Sequence, residues 1–390
     1  MKIKIESKES GKAIAHALFF VKKSIQFSSV LSEKATEQAE TVLNGMEEGP
    51  FEDLEFLELD GVPTFFVNAA KERGLTSLDH LRMAAYRLAK QAKKKQISCV
   101  SLMLADAAPE QVKSIIHGLY YAEYEFDRYK TKKQKSFNVT YEIVAQDQAK
   151  EFSKIAKDVA IEQASISMAR DWINTPGSDL TPSVFVSEAE KIAKETGLKI
   201  KVRDIKALQK EGYNGLVTVG KGSQSLPYMV TLEYKAAKAS KDLHLALVGK
   251  GLTFDTGGIS LKPASTMWEM CCDMSGAAAV LGAIRTIALL KLPIHVSAVL
   301  CLAENRIGSK AVLPGDIFTA KNGKTVMVDN TDAEGRLALS DGLAEAGLLK
   351  ATHIIDLATL TGAMVRALGY AVTGFFSNDE KLASKILEAG

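Results

Sequence analysis

The chain has 390 residues, 46% of them hydrophobic and 25% charged, with a net charge of +2. That length suggests two domains, the composition is that of a soluble globular protein, and a charge so near zero offers no basic footprint for nucleic acid. The four cysteines, Cys99, Cys271, Cys272 and Cys301, show neither C-x-x-C pairing nor zinc-finger spacing, which suggests a reducing compartment.

Met1 to Glu6 lacks the apolar core of a signal peptide. Ala13 to Val21 is apolar, but it carries His16, is flanked by lysines and is too short to cross a bilayer, so a cytoplasmic location and no membrane partner are expected. Residues 1–145 read as a smaller α/β domain, with strands at Lys2 to Ile5, Thr64 to Val67 and Ile97 to Leu104 and helices at Leu78 to Lys93 and Pro109 to Glu123. Lys93 to Lys95 reads as a solvated helix end, and the basic run from Arg128 to Lys135 as a polar connector. A long amphipathic helix is expected from about Asp147 to Trp172, with Phe152, Ile155, Val159 and Ile166 on its buried stripe. Residues 146–172 thus connect the first domain to a second, 173–390, and Asn174-Thr175-Pro176-Gly177 breaks the helix. Beyond it come a helix near Ser183 to Thr196, a strand at Lys199 to Val202, a helix near Ile205 to Glu211, and strands at Gly215 to Val219 and Tyr228 to Glu233. Strands at 243–249, 294–302, 325–329 and 353–357 continue the alternation, which predicts a three-layer α/β domain on a mixed sheet.

Chemistry concentrates in three polar loops of this second domain. Asn330-Thr331-Asp332-Ala333-Glu334-Gly335-Arg336-Leu337 follows the apolar run Thr325 to Val328, read as a short buried strand, and precedes the helical spacing of Leu339, Leu343 and Ala346. Taken alone, Thr331-x-x-Glu334 fits a helix-capping box equally well. Gly249 to Pro263 follows another apolar run, and Met270 to Ala278 opens a helix running to about Leu290, where Asp273 also suits an N-cap. Together the loops offer Asp255, Asp273, Asp332 and Glu334, with Lys250, Lys262 and Arg336 among them. So many carboxylates cannot share a dry pocket without cations, and a pair of divalent metals resolves the repulsion.

Other chemistries find less support. Gly215 to Gly222 almost spells a phosphate-binding loop, but an apolar strand fills the space between its glycines and Gly222 occupies the hydroxyl position. The six histidines are scattered with no H-E-x-x-H, and no G-x-S-x-G elbow is present. His295 and His353 read as satisfied core residues, and the adjacent Cys271 and Cys272 as packing.

The three loops resemble those of the leucyl aminopeptidase family of dinuclear-metal cytosolic exopeptidases. Asn330 to Leu337 matches the family signature in full, Gly249 to Pro263 departs by conservative swaps, and the likeness runs from about Arg170 to the end. The resemblance implies Lys250, Asp255, Asp273, Asp332 and Glu334 as ligands of two divalent ions, with Asp255 and Glu334 bridging. Manganese or zinc suits such a set, with magnesium or cobalt also admissible. It further implies Lys262 and Arg336 as the catalytic pair, Arg336 holding a bicarbonate, and Met270, Thr359 and Gly362 as lining of the substrate pocket. The expected reaction is removal of an N-terminal residue, leucine and other apolar residues preferred, from peptides with a free N-terminus by a two-metal-activated water. A homo-hexamer is the assembly expected of a full-length member, and family members continue beyond the position of Gly390, so a C-terminal part is expected to be missing. Three positions depart from the pattern: Cys271 and Cys272 replace a basic and a small residue, and Ser275 replaces glycine. A catalytically impaired relative acting as a scaffold or DNA-binding regulator is the competing expectation.

Overall fold

The computed structural model describes residues 1–9, 11–13, 15–21, 24–26, 34, 37–41, 54–59, 62–68, 77–104, 106–133 and 137–390; Gln134 and Lys135 of the basic run lie outside the described residues. Two compact units divide the chain, Met1–Asp171 with Leu289–Lys291 and Trp172–Ala288 with Leu292–Gly390.

The first unit is built on β1 (Lys2–Glu6), β2 (Ala15–Val21), β3 (Ser24–Gln26), β4 (Leu54–Leu59), β5 (Val62–Asn68), β6 (Cys99–Met103) and β7 (Thr140–Val144). Their order is β1-β7-β6-β2-β5-β4, with β3 added to β2. The ladders are parallel except β4 on β5 and β3 on β2. The apolar run near Ala13 to Val21 supplies β2 in the middle of the sheet, where Ala15, Ala17, Leu18 and Phe19 are buried. A strand covered on both faces carries no alternation, so its sequence reads as a plain apolar run. Helices Ser77–Lys94 and Pro109–Glu123 contribute Leu81, Leu88, Ile115 and Leu119 to the same core.

The long helix runs Ala149–Asn174. Phe152 and Val159 are buried and Ile155 packs at the core edge, but Ile166 is 41% exposed, which corrects the expected stripe. A straight helix drifts by about 20° per heptad against a seven-residue repeat, so the buried line passes instead to Gln163 and Ser165.

In the second unit β8 (Lys199–Arg203), β9 (Tyr228–Lys235), β10 (His244–Asp255), β11 (His295–Asn305) and β14 (His353–Leu357) form one mixed sheet. Its order is β14-β10-β11-β9-β8, parallel across β14, β10 and β11 and antiparallel from β11 to β9 and β8. Ala246, Val248 and Leu252 of β10 enter a core with Leu216, Val219 and Ala338, while Ala277 of helix Ser275–Leu289 lies against Gly249 on the other face. The central strand β10 is therefore covered on both sides, the α/β arrangement that the alternation predicts, while the edge strand β14 stays partly exposed.

Two predicted strands are corrected. Gly215 to Val219 lies in a helix, Asn214–Gly220, despite its β-branched residues. Tertiary contacts override propensity here: the Asp341 carboxylate accepts from Leu216 N at 2.8 Å, satisfying a free N–H of the first turn. A Cβ on Gly215 would also clash with the Leu337 carbonyl oxygen, so only glycine lets this helix approach its partner so closely. The run at 325–329 is not part of the sheet, and it is only partly buried: Val328 enters the core and Val326 packs against it, while Thr325, Met327 and Asp329 are exposed. It supplies β13 (Thr325–Met327), which pairs antiparallel with β12 (Ile317–Thr319) in a separate hairpin, and Met327 is 64% exposed. Apolar content alone does not distinguish a core strand from one whose side chains stand on a peripheral ribbon.

His244 and His295 begin β10 and β11 side by side, their rings stacked at 3.7 Å and 5°. His295 Nε2 lies 3.0 Å from Glu233, and His244 Nε2 lies 2.9 Å from Ser297 Oγ. Burial first, then the neighbouring His295, holds His244 below its ordinary pKa of 6.5, against a smaller opposing pull from Glu233. The unfolded chain therefore takes up this proton before the folded one, so the stability is fully present above about pH 6.5 and is lost as pH falls through the depressed value. Unfolding free energy is expected to decline between pH 7 and 5, and His244→Phe, which keeps a ring over His295, is expected to flatten that slope. Denaturant titrations at each pH measure both; an identical slope in the variant would remove His244 from the account.

Candidate metal centre

The centre is assembled at the carboxyl ends of the parallel strands, the edge where open α/β sheets present their chemistry. Strand β10 brings two groups, Lys250 from its middle and Asp255 from its last position, both 2% exposed. Asp273 comes from a 3-10 turn, Trp268–Met274, that leads into helix Ser275–Leu289. Asp332 lies in a second 3-10 turn, Thr331–Ala333, and Glu334 opens helix Glu334–Leu348, whose N-terminal dipole favours a carboxylate.

Lys250 is the inner cation. Its Nζ lies 2.8 Å from Asp273 Oδ1 and 3.0 Å from Glu334 Oε1, and donates to the Thr359 carbonyl at 2.9 Å. A Cβ on Gly335 would meet that Nζ at 2.8 Å, so the glycine inside the acidic motif is what makes room for the ammonium. Burial opposes charge on Lys250, but Asp273 and Glu334 outweigh it and hold the pKa above the usual lysine value. Lys262 is the outer cation, 2.8 Å from Asp255 Oδ2 and 2.6 Å from Asp332 Oδ1. Its pKa is likewise raised, the hydrogen bonds to Asp255 and Asp332 overcoming desolvation.

The carboxylates are not fully satisfied by these two lysines. Burial pushes Asp273 up to about 7, against the pull of Lys250 and with added repulsion from Glu334 and Asp255. Burial raises Glu334 as well, more than Lys250 lowers it. Ligand oxygens of Asp255, Asp273 and Glu334 all lie within 4.8 Å of one another. Asp273 Oδ2 is buried with no hydrogen-bond partner, a costly state for a carboxylate oxygen that a bound cation relieves. An all-oxygen set of this density fits divalent ions.

The helix-capping alternative is not what these side chains do. Thr331 Oγ1 donates to the Gly257 carbonyl at 2.7 Å and accepts from Ser260 N at 2.8 Å, so it joins two loops instead of closing its own turn. Asn330 provides the cap, accepting from Asp332 N at 2.9 Å. Of the expected pocket residues, Thr359 is in direct contact, its hydroxyl donating to Asp273 Oδ1 at 2.7 Å. Met270 is half-buried in the turn that carries Asp273, and Gly362 begins the exposed helix Gly362–Leu368. Arg336 is exposed in the first turn of its helix, with no ion pair among the described residues. Cys271 Sγ faces the Ile173 carbonyl at 3.9 Å, and burial raises the pKa of both Cys271 and Cys272, in keeping with packing roles.

Sequence reasoning missed Asn305. It ends β11 directly opposite Asp255, is 2% exposed, and its Nδ2 donates to Asp255 Oδ1 at 2.8 Å. The available signal was its position, a polar Glu304-Asn305 pair closing an apolar strand at the edge where chemistry is expected.

Residues 167–390, more than half of the chain, match the sequence profile described as the cytosol aminopeptidase family, catalytic domain. The chain belongs to the cytosol aminopeptidase family. Among curated family members, a probable cytosol aminopeptidase of Solibacter usitatus (strain Ellin6076) is 43% identical over 321 residues, covering 82% of this chain and 66% of the relative. One from Aquifex aeolicus (strain VF5) is 40% identical over 311 residues, covering 79% of this chain and 62% of the relative. The chain thus spans somewhat less than two thirds of the length of these relatives. Among solved structures, a tomato leucine aminopeptidase mutant superposes with a TM-score of 0.85 at 28% identity, over 100% of this chain and 79% of that one. The bottromycin maturation enzyme BotP in complex with Mn superposes with a TM-score of 0.80 at 28% identity, over 97% and 79%.

Proposed function

We propose that this chain carries a metal-dependent aminopeptidase activity, releasing N-terminal leucine and other apolar residues from peptides in the cytoplasm. The observation that carries the reading is the buried carboxylate cluster with its unsatisfied Asp273 Oδ2. Family membership, and a structural neighbour described as bound to Mn, support a metal there. Asp255, Asp273, Asp332 and Glu334, with Lys250 once nearby dications have displaced its proton and freed its nitrogen lone pair, would hold two divalent ions, manganese or zinc in first place, with a homo-hexamer as the working assembly. Bound ions supply Lewis acidity, polarising the scissile carbonyl and activating the attacking water.

The chain's own residues do the rest. Lys262, with its side chain 19% exposed at the mouth of the cluster, is held as an ammonium and serves as donor to the oxyanion of the tetrahedral intermediate. Arg336, exposed and without an ion pair among the described residues, presents a planar guanidinium suited to a bicarbonate that relays protons. The Thr359 hydroxyl fixes one oxygen of Asp273 and leaves the other buried without a hydrogen-bond partner. Met270, Thr359 and Gly362 line the pocket for the first side chain. One methylene changes binding by only ~1–3 kcal/mol, so selectivity among apolar residues is broad.

In this reading the substrate's free α-amine binds within the carboxylate cluster. N-acetylation of a leucyl anilide is therefore expected to abolish turnover while leaving the side chain unchanged. Steady-state assays with manganese present compare the two substrates directly; comparable cleavage of both would point to an endopeptidase or amidase instead.

A further inference from the structure

We propose that Asn305 is a positioning residue of the metal centre, its side-chain amide fixing the Asp255 and Glu334 carboxylates and the acidic motif relative to one another. The inference rests on the metallopeptidase reading above and names a residue to which that reading gives no role.

The need for such a residue follows from the topology. Asp255 is rigidly placed by β10, but the motif bearing Asp332 and Glu334 follows the β12–β13 hairpin, which lies outside the main sheet. No sheet hydrogen bonds therefore set the motif's position against β10. Asn305 bridges that gap from the end of β11. Its Nδ2 donates to Asp255 Oδ1 at 2.8 Å and to the Thr331 carbonyl at 3.0 Å, and reaches Glu334 Oε2 at 3.5 Å. One group thus ties a strand end, the motif backbone and a motif carboxylate.

The residue type is informative. All three partners are acceptors, so the amide nitrogen faces the centre and the oxygen turns away toward Gly258. Asp255 Oδ1 also accepts from Gly257 N at 2.8 Å, so two neutral donors hold that oxygen while Oδ2 faces the Lys262 ammonium. A lysine or arginine in place of Asn305 would cancel negative charge that the cluster needs for a cation, and an acidic residue would repel its neighbours. A neutral, buried double donor orients carboxylates without changing their charge. Outer-shell partners of this kind typically govern metal affinity by ~10–100-fold.

The test is calorimetric titration of the intact 390-residue chain with MnCl2, alongside Asn305→Leu, Asn305→Ser and a control, Tyr213→Phe. Tyr213 hydrogen-bonds Glu345 in the core, away from the six side chains of the centre, so its loss lowers stability by a comparable route. Both Asn305 variants are expected to bind Mn²⁺ about 10–100-fold more weakly, with a correspondingly smaller Mn²⁺-induced rise in melting temperature, while Tyr213→Phe keeps the unmodified affinity. If Asn305→Leu fails to fold, Asn305→Ser decides, since its shorter hydroxyl cannot span both carboxylates. Folded Asn305 variants with unmodified affinity would overturn the positioning role and leave the metallopeptidase reading standing. Equal weakening in Tyr213→Phe would also overturn it, by assigning the effect to general destabilisation. Failure of the unmodified chain to bind Mn²⁺ would overturn the metallopeptidase reading and this inference with it.

Discussion

Glu334→Ala is expected to strip divalent metal from the protein and lower turnover of leucyl substrates by more than ~100-fold. Glu334 is 3% exposed, and its two oxygens face different parts of the centre, Oε1 toward Lys250 and Oε2 toward Asn305. No other carboxylate in the cluster touches both the inner lysine and the β11 clamp, so its removal cannot be covered by a neighbour. The folded chain itself should tolerate the change. Lys250 retains Asp273 and the Thr359 carbonyl, and deleting Glu334 relieves the repulsion that raises Asp273. The metal-free melting temperature is thus expected to hold or rise while bound metal, read by elemental analysis after dialysis, falls. Unchanged stoichiometry in a folded Glu334→Ala protein would mean that the ions sit elsewhere.

The parts of this centre that were legible in the sequence are the ones whose chemistry is conspicuous. Asp255, Asp273, Asp332 and Glu334 stand out because a folded chain has few ways to hold four carboxylates in apolar surroundings, and Lys250 and Lys262 stand out beside them. The structure brings these six side chains together as two ion-paired triads, Lys250 with Asp273 and Glu334, and Lys262 with Asp255 and Asp332, with ligand oxygens of Asp255, Asp273 and Glu334 within 4.8 Å of one another. What stayed hidden is what acts through tertiary contact. Asn305 is neutral and lies about fifty residues from Asp255 in the chain, so only the β10–β11 register reveals that it faces that carboxylate. The same cause explains the misread segment at Gly215 to Val219. Its local sequence favours a strand, and the Asp341 side chain that caps it as a helix comes from more than a hundred residues later. The hairpin at Thr325–Met327 was misread for a simpler reason, since an apolar run does not state whether its neighbours will cover it. Alternation of elements, by contrast, is a property of the whole domain, which is why the mixed sheet was anticipated even though one of its expected strands is a helix and another lies outside it.

Lys262→Ala is expected to lower kcat by ~10²–10³ without reducing bound metal, since the loss of one oxyanion donor typically costs that much. The geometry sharpens the expectation about metal. Lys262 Nζ lies against Asp255 Oδ2 and Asp332 Oδ1, two of the oxygens proposed to take a cation, so in the metal-free protein the ammonium competes for them. Its removal frees both carboxylates, and Mn²⁺ affinity should stay the same or increase. Stability of the metal-free chain should fall for the same reason, because Asp255 loses its nearest cation while buried. Arg336→Ala is the companion measurement. That side chain is exposed and not ion-paired among the described residues, so the variant should fold and bind metal normally, and its loss of kcat should be smaller and partly restored by added bicarbonate or carboxylate buffer. Steady-state kinetics at saturating metal, with metal content measured on the same samples, separates these effects. Metal loss in Lys262→Ala would make that residue part of the metal-holding scaffold and remove it from the role of oxyanion donor.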